Sequence, residues 1–420
     1  MPRPELVLWN ASIIDCRTPH PVERTRITMR GGRIEQVGNI EGSPPPDAID
    51  LGGRFVLPGL IDAHIHLADD PKMLEAAALP RPLQGEEPRP RELVYFALAN
   101  AARAFLKAGI TSIRDVGCYD DNATVLREAI RLGLTEGPRI FVCGRIISAT
   151  APGGRIFNTM YEEADGPWEM RSCVRKQLRR GADYIKVMAG GARSVDREDP
   201  EPAQLTREEM DALVDEAHRL GMRVAAHAEG LGAVRVAVEA GVDTIEHGLS
   251  LHRAPDLLDH MARHGIVLVP TLSTFHDVGE RFADLFAPRL VEQAKRQREE
   301  AYRTLTAALA AGVTLAMGFD SGPPGADALE LVRMVEGGLS AHEGITAATQ
   351  GSACALGLAD TGTIESGKVA DLVVLNSNPL VDVKTVTRPD QIWMVVQAGN
   401  VLVAPPVHSA ARGKSIATGV

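Results

Sequence analysis

The stretch VLPGLIDAHIHL, residues 56–67, opens the part of the chain that decides its fold. A turn at Pro58 and Gly59 gives way to an apolar run ending on His64 and His66. Side chains repeat with period two along an extended strand, so both imidazoles share one face and can bind one ion together. Seven further runs of similar character follow: TSIRDVG (111–117), RIFVCGR (139–145), YIKVMAG (184–190), RVAAHA (223–228), TIEHG (244–248), IVLVPTL (266–272) and TLAMGFDS (314–321). Amphipathic helical stretches lie between them. In REEMDALVDEAHRLG (207–221), Met210, Leu213, Val214 and Ala217 recur at helical spacing and Gly221 ends the run. Eight such units in about 300 residues predict an α/β chain built as a closed (β/α)8 TIM-like barrel. An open doubly wound sheet is the alternative, but no GxGxxG follows a first strand.

Outside this region the pattern changes. Residues 1–58 read as short strands with turns, LVLWNASII, TRITMRGGRIEQVG and AIDLGGRFVLPG, broken by the Pro-rich GSPPPDA at 42–48. Near the other end, ADLVVLNSNP and QIWMVVQAGNVLV read the same way. The two ends are expected to pair into one small β-domain, residues 1–58 with 361–407, around a barrel at 59–360. Long loops are expected at 78–92, 148–168 and 189–206, and a flexible tail at 408–420.

Composition narrows the function classes. The 420 residues carry 45 Lys and Arg against 55 Asp and Glu, a net charge of −10 with no strongly basic face. With aromatics at only 4%, neither a phosphate-tracking groove nor a base-stacking platform is expected, which argues against nucleic acid as partner. No stretch approaches 18 consecutive apolar residues, and there is no basic amphipathic helix, so no membrane partner is expected. The opening MPRPELVLWNASIIDC lacks the form of a signal peptide, and the five cysteines are scattered without CxxC spacing. A cytoplasmic address follows as the expectation.

Polar residues recur at the C-terminal ends of the predicted strands. His64 and His66 end the first, Lys186 lies in the fourth, His227 ends the fifth, His247 the sixth and Asp320 the eighth. In a barrel these ends converge, and imidazole with carboxylate is a ligand set for zinc-like ions. Taken singly each has a plainer reading: a strand-end histidine in the core, Asp320 as a cap, Lys186 as a salt-bridge partner of Asp115 or Asp320. Six such residues at one end of successive strands make those separate readings fail together.

The order of these residues resembles the amidohydrolase superfamily in its two-metal subtype. The flanks GADYIKVMAGG (181–191), AAHAEG (225–230), AGVDTIEHG (240–248), MGFDSG (317–322) and ESGKVADLVVLNSNPL (365–380) carry the likeness from about residue 5 to about 405. GPRI (137–140), DGP (165–167) and AHRLG (217–221) are similar to the group of Xaa-Pro dipeptidases (prolidases), N-acyl-amino-acid carboxypeptidases and ochratoxin-type amide hydrolases. The resemblance implies a barrel with a β-sandwich built from both termini. It implies two divalent ions, zinc first among them, and carboxylation of Lys186 by CO2 or bicarbonate to an N6-carboxylysine that bridges them. His64, His66 and Asp320 would hold one ion, and His227 and His247 the other. A water between the ions would be acidified to attack the amide carbonyl, with Asp320 carrying the proton to the leaving nitrogen. Homo-oligomers are usual in such a family and are expected here.

The substrate-facing positions depart from that pattern. Where relatives carry HAY this chain has HAEG, placing Glu229 where it is expected to repel a carboxylate, and where they carry GGH it has Gly153, Gly154 and Arg155. Arg155 and Arg193 are therefore candidates for an anionic group, with the plainer alternatives that Arg155 and Glu229 pair with each other or face solvent and that Arg193 is a solvated loop charge. Cys118 and His276 are candidates to line the pocket. The expected substrate is a small-molecule amide, of N-acyl amino acid or dipeptide type. Carbamates, phenylureas and anilides, lactones or phosphotriesters on the same site, and remotely a non-catalytic scaffold, stay open.

Overall fold

The computed structural model describes residues 5–67, 92–193, 195, 197–285 and 287–403. The expected tail at 408–420, and the expected loop at 78–92 apart from Glu92, lie outside the described residues. In chain order the strands are β1 (Leu6–Ile13), β2 (Val22–Arg30), β3 (Arg33–Asn39), β4 (Ile49–Asp50), β5 (Phe55–Pro58), β6 (Leu60–Ile65), β7 (Ile110–Asp115), β8 (Arg139–Val142) and β9 (Ile146–Ser148). They continue with β10 (Tyr161–Glu163), β11 (Ile185–Met188), β12 (Val224–Ala228), β13 (Thr244–His247), β14 (Val267–Val269), β15 (Leu372–Leu375), β16 (Ile392–Gln397) and β17 (Asn400–Val403).

The termini do meet. β5 pairs antiparallel with β15, Val56 opposite Val374, and so joins the first and last strands of the described chain into one sheet ordered β17-β16-β15-β5-β1-β2-β3 with β4 beside β1. β15 is LVVL and buried at every position, as a strand covered on both faces must be. The sheet packs its own core of Leu8, Ile27, Met29, Leu51, Val56, Leu372, Val374 and Met394. Among the described residues the ladders form one eight-stranded sheet.

The paired strands in the middle of the chain are all parallel, in two sheets ordered β6-β7-β8 and β10-β9-β11-β12-β13-β14. Parallel strands alternating with helices fit a TIM-like barrel. Two expected strands look different here. TLAMGFDS at 314–321 forms only an isolated bridge, Leu315 to Leu268, although the amide of Leu268 donates to the carbonyl of Thr314, that of Ala63 to Met317 and that of Asp320 to His64. Its run of apolar residues is short, and it must bend to aim Asp320, whose φ is 44°. Gly318 makes that approach possible, because a Cβ there would stand 2.6 Å from the Cβ of His64 and 2.4 Å from Val269. RIFVCGR at 139–145 is likewise divided, since Gly144 turns left-handed (φ 69°) between β8 and β9. The expected loop at 148–168 holds a short helix, Pro152–Phe157, and the edge strand β10.

Outer helices are tied together by charge. Glu216, on helix Arg207–Arg219, takes Arg175 of helix Pro167–Arg179 at 2.7 Å and is flanked by Arg171 and Arg219. The Arg175 hydrogen bond, followed by Arg219, pulls its carboxyl down from 4.5 to about 2. A depressed carboxyl stabilises the fold above its unfolded value and loses that contribution as pH falls through its folded value. Denaturant midpoints of wild type and Glu216→Gln should therefore differ above pH 4.5 and converge as pH falls to about 2. A gap that stayed constant down to that pH would refute the assignment.

Candidate metal centre

Four imidazoles and two further polar groups meet at the C-terminal ends of β6, β11, β12, β13 and the 314–320 segment. Each histidine has one ring nitrogen engaged away from the centre. His64 Nδ1 donates to Glu246 Oε2 at 2.6 Å, and His66 Nδ1 donates to the carbonyl of Gly117 at 2.8 Å. His247 Nδ1 lies 2.7 Å from Thr271 Oγ1. His227 is turned the other way, with Nε2 3.3 Å from the carbonyl of Gly191. Outer-shell contacts of this kind fix both tautomer and ring orientation.

The remaining nitrogens face one another. His64 Nε2 and His66 Nε2 lie 3.6 and 3.8 Å from Asp320 Oδ1. His227 Nδ1 lies 2.9 Å from His247 Nε2. Ligand atoms of His64, His247 and Asp320 fall within 4.8 Å of one another, as do those of His227, Glu229 and His247. Burial, followed by the charge of Lys186, holds His64 and His227 well below the usual histidine range; burial and the neighbouring imidazoles do the same for His247. All three are thus neutral at neutral pH, the form that binds metal.

Two backbone distortions make the convergence possible. In a regular strand Glu246 and His247 would face opposite sides. His247 has φ 71°, which turns it into the same site that Glu246 serves through His64. Asp320 is left-handed too, and non-glycine residues rarely adopt this conformation without a functional reason.

Lys186 is 2% exposed, and its Nζ has no hydrogen-bond partner among the described residues. The plainer reading of Lys186 as a salt-bridge partner of Asp115 or Asp320 is therefore not met among the described residues. Burial is the main cause of a fall in its pKa to about 8, with the Glu246 charge opposing it. A buried amine without a partner, beside inward-facing nitrogens and a carboxylate, fits a site completed by cations and by carboxylation of the amine.

The substrate-facing candidates sit in different surroundings. Glu229 does not pair with Arg155. Its Oε1 takes Arg193 NH1 at 2.8 Å, while Oε2 is buried without a partner among the described residues. Arg193 also reaches Thr274 Oγ1 at 3.3 Å and lies 4.4 Å over the Phe275 ring, so it is a held guanidinium rather than a solvated loop charge. Arg155 is exposed on helix Pro152–Phe157. Arg193 is thus the charge partner of Glu229. Cys118 is a core residue whose Sγ donates to the carbonyl of Leu67 at 2.7 Å. His276 bonds Tyr302 at 2.6 Å and is mainly a packing partner.

Sequence reading missed the groups behind the ligands. Glu246 is fully buried and shared between His64 and Arg114, whose guanidinium also donates to Ala63 O and Thr244 Oγ1. A buried Arg in TSIRDVG and a Glu in TIEHG were the available signals: each is a charge in an apolar run, and the two answer one another.

Residues 55–402 match the amidohydrolase family model. Ochratoxinase from Aspergillus niger is 31% identical over 381 residues, spanning 84% of this chain and 76% of that protein. The crystal structure of a Xaa-Pro dipeptidase with bound methionine in the active site superposes with a TM-score of 0.84 at 31% identity, covering 95% of this chain and 99% of that one. A prolidase complexed with N-methylphosphonate-L-proline gives 0.83 at 29%, covering 96% and 100%.

Proposed function

The chain belongs to the amidohydrolase family, and from that premise we propose that it hydrolyses the amide bond of a small molecule, N-acyl amino acids or dipeptides first, at a centre of two divalent ions. The observation that carries this reading is the facing set of ring nitrogens from His64, His66, His227 and His247 around Asp320, with the partnerless Nζ of Lys186 beside them. His64, His66 and Asp320 would hold one ion, His227 and His247 the other, and Lys186, carboxylated on Nζ, would join both. When bound, such ions acidify water and polarise a carbonyl, and zinc is our first assignment. Asp320 takes the proton of the attacking water on its carboxylate and returns it to the leaving nitrogen. Glu246, itself held by Arg114, fixes the tautomer and orientation of His64. The architecture we favour is a closed barrel over residues 59–360. Supporting it are the Asp183-to-Val142 bond at 2.8 Å between the two parallel sheets on one side and the 314–320 segment on the other.

Arg193 rather than Arg155 is the anchor we assign for a substrate carboxylate. It stands beside the His227–His247 pair on three contacts, and only one of its hydrogen bonds goes to Glu229. Methionine and the proline phosphonate in the similar structures both carry a carboxylate. Arg193→Met should raise KM for an N-acyl amino acid about 10- to 100-fold, the worth of a hydrogen bond to a charged group. It should change KM little for the matching primary amide, and Arg155→Met should change neither. Equal losses on both substrates would remove Arg193 from this role.

The test of the reaction is hydrolysis of a mixed library by protein reconstituted with zinc and bicarbonate. The library holds Xaa-Pro dipeptides, N-acyl amino acids, aryl carbamates, phenylureas and anilides. Cleavage of carboxylate-ended amides is the expected result. Turnover confined to neutral carbamates or ureas would replace the substrate class, and no amide turnover by metal-loaded protein would reject the reading.

A further inference from the structure

One fully buried carboxylate lies outside the ligand set yet leads straight to it. Glu330, on helix Ala328–Glu336, is 0% exposed and divides its two oxygens between consecutive amides. Oε1 accepts from the N–H of Leu272 and Oε2 from that of Ser273, each at 2.7 Å. Burial raises its carboxyl to about 7 against the pull of these hydrogen bonds, so the group is kept there against its own desolvation.

What these two bonds fix is the residue just before them. Thr271 is buried and left-handed, φ 49° and ψ 48°, a conformation that a β-branched residue adopts only when its surroundings impose it. In that conformation its Oγ1 stands 2.7 Å from His247 Nδ1. The residues that follow spread over the rest of the site. Thr274 and Phe275 seat Arg193, Asp277 bonds Ser321 beside Asp320, and Arg281 donates to the carbonyl of Gly322 at 2.7 Å. The stretch 271–281 therefore touches a histidine ligand, the assigned anchor and the segment that carries Asp320. Glu330 grips its first two amides.

We propose that Glu330 is a positioning residue that, by clamping Leu272 and Ser273, holds Thr271 against His247 and so sets the nitrogen His247 presents to its ion. This rests on the reading of His247 as a ligand. It is distinct from the roles of Glu246 and Lys186, because Glu330 touches neither a ligand nor a reacting atom and acts only through backbone.

Cobalt(II) is the probe: affinity by competition with a chelator, and the visible absorption of the cobalt-loaded protein, for wild type, Glu330→Gln, Thr271→Val and Thr271→Ser. A neutral amide offers one acceptor where the carboxylate offers two, so Glu330→Gln frees one amide. Loss of an outer-shell partner typically lowers metal affinity about 10- to 100-fold, and that is the fall expected for Glu330→Gln and Thr271→Val, with an altered cobalt spectrum in both. Thr271→Ser keeps the hydroxyl and should restore both readouts. The double variant should be no worse than the weaker single one, since both break the same link. If Glu330→Gln does not fold, the Thr271 pair decides alone. Cobalt affinity and spectrum unchanged in Glu330→Gln and Thr271→Val, with only thermal stability lowered, would overturn the inference and leave the metal centre standing. Wild-type protein that takes up no cobalt would overturn both.

Discussion

Asp320→Asn should lower kcat by about 10²- to 10⁴-fold, the range of a lost general acid–base group, while leaving the fold intact. The expectation of an intact fold comes from the backbone. Asp320 sits at φ 44°, in the left-handed region where Asn is as well tolerated as Asp. Its Oδ1 lies 3.6 and 3.8 Å from the Nε2 atoms of His64 and His66, and an amide of the same shape fills that space without carrying a proton. Thermal unfolding of the variant should match wild type, so that the loss reads as chemistry. Activity within tenfold of wild type, measured with metal content equalised, would remove Asp320 from the proton pathway.

Lys186→Met should have the opposite signature on stability and an equally large one on activity. The side chain is among the largest fully buried ones, and its Nζ has no partner among the described residues. The fall in pKa from 10.5 to about 8 corresponds to about 3 kcal/mol of lost stability for the charged form. Methionine fills similar volume without that cost, so metal-free Lys186→Met should unfold at a higher temperature than metal-free wild type. The same variant should bind metal weakly and hydrolyse no amide above background. Functional sites commonly trade stability for chemistry in this way. A Lys186→Met protein less stable than wild type when both are metal-free would contradict it, because the amine would then be contributing a favourable contact.

The candidate ligands were legible in the sequence for a physical reason. Charged and imidazole side chains at the ends of apolar strands are costly unless they converge on something, and His64, His66, Lys186, His227, His247 and Asp320 share that position. The supports were not legible. Glu246 and His247 are neighbours, and a regular strand would send them to opposite faces; only the φ of 71° at His247 lets both serve one site. Thr271 and Glu330 lie 59 positions apart and are linked through the backbone of Leu272 and Ser273, which carries no side-chain signal. The sequence could not separate Arg155 from Arg193, because their surroundings turn on loop conformation. GGR at 153–155 folds into a short helix with its arginine outward, while the loop after β11 lays Arg193 across Glu229 and Phe275. At the level of fold, parallel strands and the meeting of the termini followed from hydrophobic patterning. The short bridge at Leu315 did not, because Gly318 lets that segment pass His64 too closely to keep a regular ladder.

The most direct measurement is a count of ions. Metal-free protein dialysed against zinc with bicarbonate, then freed of loose metal and analysed by elemental mass spectrometry, should retain two zinc ions per chain. His64→Asn and His227→Asn should each retain fewer, and Lys186→Met fewer still. Wild-type protein that keeps no zinc, or keeps the same amount as the Lys186→Met and His227→Asn variants, would contradict the metal centre on which the whole reading rests.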